Sequence, residues 1–443
     1  MRIFLISFIF LSAIFQICCF PDGRPEGRGG QESVQVKEKL YFMGGSRLVP
    51  FSNPKKYNLS DEVFYLDLSS QFDIENPPFI DLTNGTSRMF YGNEKGTAIL
   101  GGSDQSTIYL IGGTQVNLTT INWNLSTQLI NWNATDQFIY IYKTVPKVWT
   151  KLGQGVKGIQ PSRRRSTSTV IKPNGTIYIF GGRVELDMAS NTLILYNDLY
   201  QFDTILLSWN PIIAPNKPSP RSHSAAILLP NGKIIYIGGV SQDAPGSQTN
   251  LINMTETAIS SISIQPRVGH TAVLTPDNSS IIIMGGTSSY ELNQTTVYPS
   301  FLKLDIQSEP FQYSELNTSG INKPPPLSFH RNITNDITDS NETSSNVYLL
   351  YIPCLTWEST FIPGRSDCQN NSAGNGSNHG NENNLKTIIG CSITAFVFCS
   401  FIVTAIVLCI LHKNGKFKDK NLGCFKIGRS GIVKNNEQLE QLE

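Results

Sequence analysis

Five short apolar runs in this chain stop at Gly-Gly and recur with like flanks, while the further pair Gly101-Gly102 reads as a loop. The runs are Leu40-Tyr41-Phe42-Met43, Ile108-Tyr109-Leu110-Ile111, Ile177-Tyr178-Ile179-Phe180, Ile235-Tyr236-Ile237 and Ile281-Ile282-Ile283-Met284. Runs this short, bounded by glycine and rich in β-branched and aromatic residues, read as strands covered on both faces. The doublets are Gly44-Gly45, Gly112-Gly113, Gly181-Gly182, Gly238-Gly239 and Gly285-Gly286, spaced by 68, 69, 57 and 47 residues. A repeat of that size implies an array in which no unit hides its apolar faces alone. Paired glycines permit a reversal at positive φ or a close backbone approach. Gly181→Val is therefore expected to be disruptive, because a β-branched residue tolerates positive φ badly.

The flanks of the doublets repeat as well. Pro220-Arg221-Ser222-His223 sets His223 15 residues before Gly238, and Pro266-Arg267-Val268-Gly269-His270 sets His270 15 residues before Gly285. On that count the two histidines share one repeat position, where the third unit carries Ser166. Pro173-Asn174-Gly175 and Pro230-Asn231-Gly232 supply turns between paired strands. Downstream of the doublets come Asn197-Asp198-Leu199-Tyr200-Gln201-Phe202-Asp203 with Trp209, and the counterparts Glu62–Asp67 and Phe301–Asp305.

This combination resembles the Kelch repeat over roughly Val34 to Pro353. The resemblance implies an all-β fold, a β-propeller in which each repeat of about 50 residues makes a four-stranded blade. Six blades are favoured and seven are possible. The last unit is degenerate, running from Pro326 through His330 to Val347–Tyr351 without Gly-Gly. Its strands are expected to pair with the N-terminal segment and so remove the sheet edges. Trp209 and Tyr178 are expected to pack between blades, and His223 and His270 are read as structural.

Two apolar stretches set the topology. Residues 1–19 carry one basic residue ahead of an apolar core and read as a secretory signal peptide. Residues 387–411 are 25 residues without a charge, long enough for a helix to cross a hydrocarbon core of about 30 Å. The tail, 412–443, holds seven Lys/Arg and four Asp/Glu, while 28 basic and 30 acidic residues lie ahead of it. That bias places the tail in the cytoplasm.

Fourteen Asn-x-Ser/Thr sequons lie between these stretches, at Asn58, Asn84, Asn117, Asn124, Asn133, Asn174, Asn253, Asn278, Asn293, Asn317, Asn332, Asn341, Asn370 and Asn375. Their placement favours a glycosylated ectodomain and a type I single-pass protein of the plasma membrane, or of another membrane on the secretory route.

The intervening organisation reads as a leader over 20–33, the propeller over 34–353 and an Asn/Ser/Gly-rich stalk over 354–386. Of the eight cysteines only Cys354 and Cys368 lie outside the apolar segments and the tail. They are expected to form one disulfide pinning the end of the domain. Cys424, in a basic juxtamembrane run, is either an ordinary thiol or a palmitoylation site.

Composition narrows the function classes. Formal net charge is +1 with no large basic region, which argues against nucleic acid as a partner. Kelch propellers include the galactose oxidases, a resemblance that would imply copper held by Tyr and His, with a Tyr crosslinked to Cys. This chain has no Cys between Phe20 and Pro353, and only His223, His270 and His330 lie in that interval. No catalytic motif is recognised. The expectation is a binding protein, without a cofactor, for an extracellular or lumenal protein or glycan. A membrane-tethered carbohydrate-oxidase-like enzyme is the alternative.

Candidate binding residues are Trp123 and Trp132, in Ile-Asn-Trp-Asn repeats nine residues apart, and Glu185 and Asp187. Exposed Trp can stack on a sugar ring or anchor a protein contact. The same tryptophans can instead pack an extra hairpin onto the domain, and the acidic pair can simply be solvated. Further candidate surfaces are 183–195, 240–256 and 287–298.

Overall fold

The computed structural model describes residues 23–48, 57–83, 85–116, 138–152, 155–187, 192–215, 217–255, 258–288, 295–325, 327 and 346–365. The chain divides into units 1–368 and 369–443, and every described residue lies in the first. The expected signal peptide, membrane helix and tail therefore fall outside the described residues, as do Trp123, Trp132, His330 and Cys368. Among the described residues no helix is long and apolar enough to cross a membrane.

The described chain is built from strands, with one 3-10 turn at Gly85–Ser87. Three sheets have four antiparallel strands in chain order. Sheet one holds Glu32–Val36, Lys39–Met43, Val63–Asp67 and Phe79–Asp81. Sheet two holds Thr97–Gly101, Thr107–Ile111, Ile139–Lys143 and Val148–Lys151. Sheet three holds Ser168–Ile171, Thr176–Phe180, Leu199–Asp203 and Ser208–Ile212.

Sheet four is the hairpin Ala225–Leu228 with Ile234–Ile237. Sheet five runs Thr271–Leu274, Ser280–Met284, Phe301–Asp305, Phe311–Glu315, and Ala258–Ser260 adds in parallel along its outer edge. The described part of sheet six is Leu349–Tyr351 and Thr356–Glu358, with Ser319–Gly320 in parallel on the outside. In both places the chain leaving one unit runs along the outer strand of the next.

Apolar patterning explains why the sheets stack. In Thr176–Phe180, Ile177, Ile179 and Phe180 are at most 2% exposed, so residues on both faces are covered. Tyr41, Met43 and Val63 of sheet one share a core with Ile108, Leu110 and Trp149 of sheet two. The next core joins Tyr109, Ile111 and Phe138 to Ile177, Phe202 and Trp209 of sheet three. Phe180 then meets Tyr236 of sheet four with ring centroids 4.7 Å apart, and sheets four and five share a core around Ile237, Ile281 and Leu302. Ile282 and Phe301 pack against Trp357 of sheet six.

Trp149, Trp209, Tyr313 and Trp357 hold one repeated place, opposite Tyr142, Phe202, Leu304 and Leu350, and each is buried in the core shared with the preceding sheet. Trp209 thus packs between sheets as expected. Tyr178 differs: it is half-buried, with the Lys172 ammonium 4.7 Å from its ring centre.

The series closes on itself. Val347, Leu349 and Phe361 share a core with Phe42, Phe64 and Phe79 of sheet one. Thr360–Phe361 pairs antiparallel with Phe72–Asp73, and Phe361 stacks on Phe72 at 5.1 Å. Closure therefore uses residues past the expected end of the propeller at 353. At the other end, sheet one starts at Glu32 and a short strand at Arg28–Gly29 pairs with Ser46–Leu48, so part of the expected leader is folded. Cys354 is disulfide-bonded to a partner outside the described residues.

The doublets are latches between neighbouring units. The second glycine N–H of each donates to a carbonyl of the next unit: Gly45 to Asn93, Gly113 to Arg164, Gly182 to Arg221, Gly239 to Arg267 and Gly286 to Leu327, at 2.7–3.1 Å. Gly181 shows why the first residue is glycine. Its φ is +65°, and an added Cβ would lie 2.5 Å from the Arg221 carbonyl oxygen. A side chain there would drive into the next sheet. Leu327 accepts the fifth latch and so marks the start of the sixth unit, which has no doublet of its own.

Candidate functional site

Strand register, rather than distance from the doublets, aligns the units. Glu32, Thr97, Ser168, Ala225 and Thr271 each face the residue just before a doublet. Two positions ahead of them stand Gly30, Lys95, Ser166, His223 and Gly269, all at positive φ, 66°, 58°, 55°, 59° and 65°. His223 is thus equivalent to Gly269, and His270 to Ser224. The shared histidine position expected from the sequence is corrected. The Pro276–Ser279 turn of sheet five is one residue longer than the Pro230–Gly232 turn of sheet four, so equal counts back from the doublets reach different places.

These left-handed residues form a rim. Lys95 N donates to Gly30 O at 2.8 Å, Ser166 N to Lys95 O at 2.8 Å, and His223 N to Ser166 O at 3.2 Å. Units two, three and four thus each hand one backbone bond to the unit before, around the inner strands. Glycine would occupy such a position without strain, whereas a side chain there costs about 1–2 kcal/mol. Three consecutive units nevertheless present Lys, Ser and His.

Inside the rim lies a cavity of about 250 Å³. Its wall holds Ser33, Thr97, Ser166, Thr167, Ser168, Thr169, Ser224 and Thr271, together with Lys95, His223 and His270. None of its described wall residues is Asp or Glu. Ser166 Oγ and His223 Nε2 are 2.8 Å apart, and His223 Nδ1 is 3.1 Å from the fully buried Ser222 Oγ. Beside them the Ser168 and Ser224 hydroxyls meet at 2.7 Å. His270 is only 8% exposed, and its ring lies against Gly238, where a Cβ would come within 2.7 Å of it.

Electrostatics at the rim are set by Glu94. Burial works to raise its pKa, but Lys95 at 3.6 Å and Arg165 at 3.3 Å, with Ser46, outweigh burial and hold the carboxyl below its ordinary value. Lys95 therefore brings a paired rather than a lone positive charge to the cavity. Among the described residues no group of three or more His, Cys, Asp or Glu is placed to hold a metal ion. A second cavity, about 530 Å³ and largely apolar, lies between sheets five, six and one. Leu327 and Tyr348 stand in its wall, at the two ends of the interval 328–345 outside the described residues.

The other expected binding residues lie elsewhere. Glu185 and Asp187 are on the hairpin Arg183–Asp187 with Thr192–Leu195, whose register slips between them. Segments 183–195 and 240–256 contain paired strands rather than open loops, the second as Val240–Gln242 with Thr249–Leu251. Of the sequon asparagines, Asn174, Asn253, Asn278 and Asn317 are exposed and Asn58 is half-buried. Asn84, Asn117, Asn124, Asn133, Asn293, Asn332, Asn341, Asn370 and Asn375 fall outside the described residues.

Radially succeeding sheets, latched at glycine doublets and closed last onto first, define a Kelch-type β-propeller. The family model for the KLHDC2/KLHL20/DRC7 Kelch-repeats domain matches residues 30–265, and the chain belongs to the Kelch-repeat family. N-acetylneuraminate epimerase of Pasteurella multocida (strain Pm70) is 30% identical over 111 residues, 25% of this chain. The match spans about a quarter, 27%, of that relative's own length. A solved structure of YjhT is 14% identical, with a TM-score of 0.44 over 65% of this chain and 84% of that one.

Lys95 and the hydroxyl wall were not among the residues singled out from the sequence, and Ser166 entered there only as the third unit's counterpart of the histidines. The signal that finds them is the residue two places ahead of each inner strand: where the repeat asks for glycine, a polar side chain stands instead.

Proposed function

We propose that this Kelch propeller is a carbohydrate-binding protein whose rim cavity takes one small acidic sugar. The observation that carries the reading is the wall: eight hydroxyl side chains with Lys95, His223 and His270 and, among the described residues, no Asp or Glu. Hydroxyls donate to and accept from sugar hydroxyls, while a lysine and imidazoles complement a carboxylate. At about 250 Å³ the cavity is at the small end of ligand pockets, about 300–1,000 Å³, and suits a single ring rather than a chain of them. The named substrate of the Pasteurella multocida relative is an acidic sugar, which supports the same class of ligand.

In this proposal the propeller is displayed outside the cell, glycosylated, on the membrane helix expected at 387–411. The test is titration of the purified full-length chain in detergent with acidic and neutral monosaccharides, read by calorimetry. Acidic sugars should bind, and Lys95→Gly, which installs the residue found at Gly30 and Gly269, should weaken them about tenfold. Equal binding of neutral sugars, or no binding of either class, would refute the reading.

A further inference from the structure

We propose that Ser166 and His223 form a nucleophile–base pair that hydrolyses small acyl esters in the rim cavity. Four observations converge. The Ser166 hydroxyl lies 2.8 Å from His223 Nε2, within the reach a general base needs. The other ring nitrogen is held at 3.1 Å by Ser222 Oγ, a fully buried third group that fixes the imidazole. Both residues of the pair line the same cavity, so a substrate can reach them. Both also sit at φ of 55° and 59°, where Gly30 and Gly269 stand in sister units. Strain kept at two touching polar residues, when the repeat offers glycine, is the pattern of a working site.

The step balances without a co-reactant other than water. With the ring proton on Nδ1, donated to Ser222 Oγ, Nε2 accepts the Ser166 Oγ–H. As Oγ bonds to the ester carbonyl carbon, that proton passes to Nε2. The tetrahedral adduct collapses, the carbon–alkoxy bond breaks, and Nε2–H protonates the leaving alkoxide. Water then repeats the sequence on the acyl-Ser166 ester, releasing the carboxylic acid and restoring the hydroxyl. Ser222 acts as a positioning residue. The pair is tested without reference to any sugar, so its failure and that of the binding proposal are separable.

The experiment uses the full-length chain with a fluorophosphonate probe and with p-nitrophenyl acetate. Mass spectrometry should find the phosphonyl adduct on Ser166, and ester turnover should accompany it. Ser166→Gly should remove both while melting at the same or a higher temperature, because glycine relieves the positive φ. His223→Gly should slow labelling and turnover about 100-fold or more. Ser222→Ala should lower kcat and leave KM unchanged. An unlabelled Ser166 in folded protein, or turnover surviving in Ser166→Gly, overturns the proposal. A lower melting temperature for Ser166→Gly, with no adduct on Ser166 in the parent chain, reduces the pair to a bond between neighbouring sheets.

Discussion

Arg164 and Arg267 stand at the same place in sheets three and five, four residues ahead of the inner strand, and their surroundings differ. Each donates Nη1 to the first carbonyl of its own doublet, Gly181 at 3.2 Å and Gly285 at 3.1 Å. Arg164 also forks onto the Asp198 carboxylate and lies 3.7 Å from the Tyr196 ring centre. Arg267 is 0% exposed and donates to the Pro299 carbonyl at 2.8 Å and to that of Gln265 at 3.4 Å, the latter matched at Arg164 by Ser162 O at 3.0 Å. Burial pulls its pKa down to about 10, against the influence of Tyr313.

In sheet two no arginine among the described residues makes the doublet bond: Asn93 Nδ2 donates to Gly112 O at 3.1 Å and Gln115 Nε2 to the same oxygen at 3.5 Å. Sheets one, two, three and five thus each keep a side-chain donor to the doublet carbonyl, and the counter-charge differs among them. Charge at this place varies from unit to unit, while the bonds that join successive sheets are the backbone latches of the doublets.

That comparison can be broken in several ways. The largest effect should come from Gly181→Val, which combines a β-branched residue at positive φ with a clash into the Arg221 carbonyl. A loss of about 4 kcal/mol or more in urea unfolding is expected. Retained stability would show that sheets three and four do not depend on their latch.

Arg267→Ala should follow, at about 3–5 kcal/mol, because it empties a fully buried site and strands several carbonyls. Arg164→Ala should cost less, about 2 kcal/mol, since water can reach Asp198, whose side chain is 36% exposed. The reverse order of these two would contradict the primacy of the carbonyl fork. Asp198→Asn should change stability by only about 0.5–1 kcal/mol, the range of partly exposed ion pairs.

The smallest expected change is with pH, and it separates sheet one from sheet five. Burial works to raise the Glu62 pKa, but Arg28 at 2.7 Å and Arg47 at 2.9 Å hold it below the ordinary value. The folded state then binds fewer protons than the unfolded chain below about pH 5. Stability from Glu62 is present above that range and is lost as pH falls through the depressed pKa. Acidification should thus loosen the Gly45 amide while sparing Gly286, whose unit relies on Arg267 and carbonyls. Parallel hydrogen exchange at the two amides measures it.

Much of the fold was legible because glycine marks it. Gly44, Gly112, Gly181 and Gly238 each begin a doublet whose φ and neighbouring carbonyl leave no room for a Cβ or little, and that demand writes itself into the sequence. Trp209 was legible for its size, and Trp149 and Trp357 would have joined it had strand register been available. The site was harder to read. His223 and His270 looked equivalent because a turn longer by one residue cannot be seen by counting. Ser166 and Lys95 are common polar residues, made unusual only by a backbone conformation that a sequence does not display. The closing pair Phe72 and Phe361 are almost a whole domain apart in the chain, and only the closed ring brings them together.

The account rests on the glycine latches that carry each unit into the next. Native-state hydrogen exchange of the Gly45, Gly113, Gly182, Gly239 and Gly286 amides tests them directly. At neutral pH, where Glu62 is ionised, all five should rank among the slowest amides and exchange together, through opening of the whole ring. Fast exchange at these glycines, or a different rate for each unit unrelated to global unfolding, would contradict it.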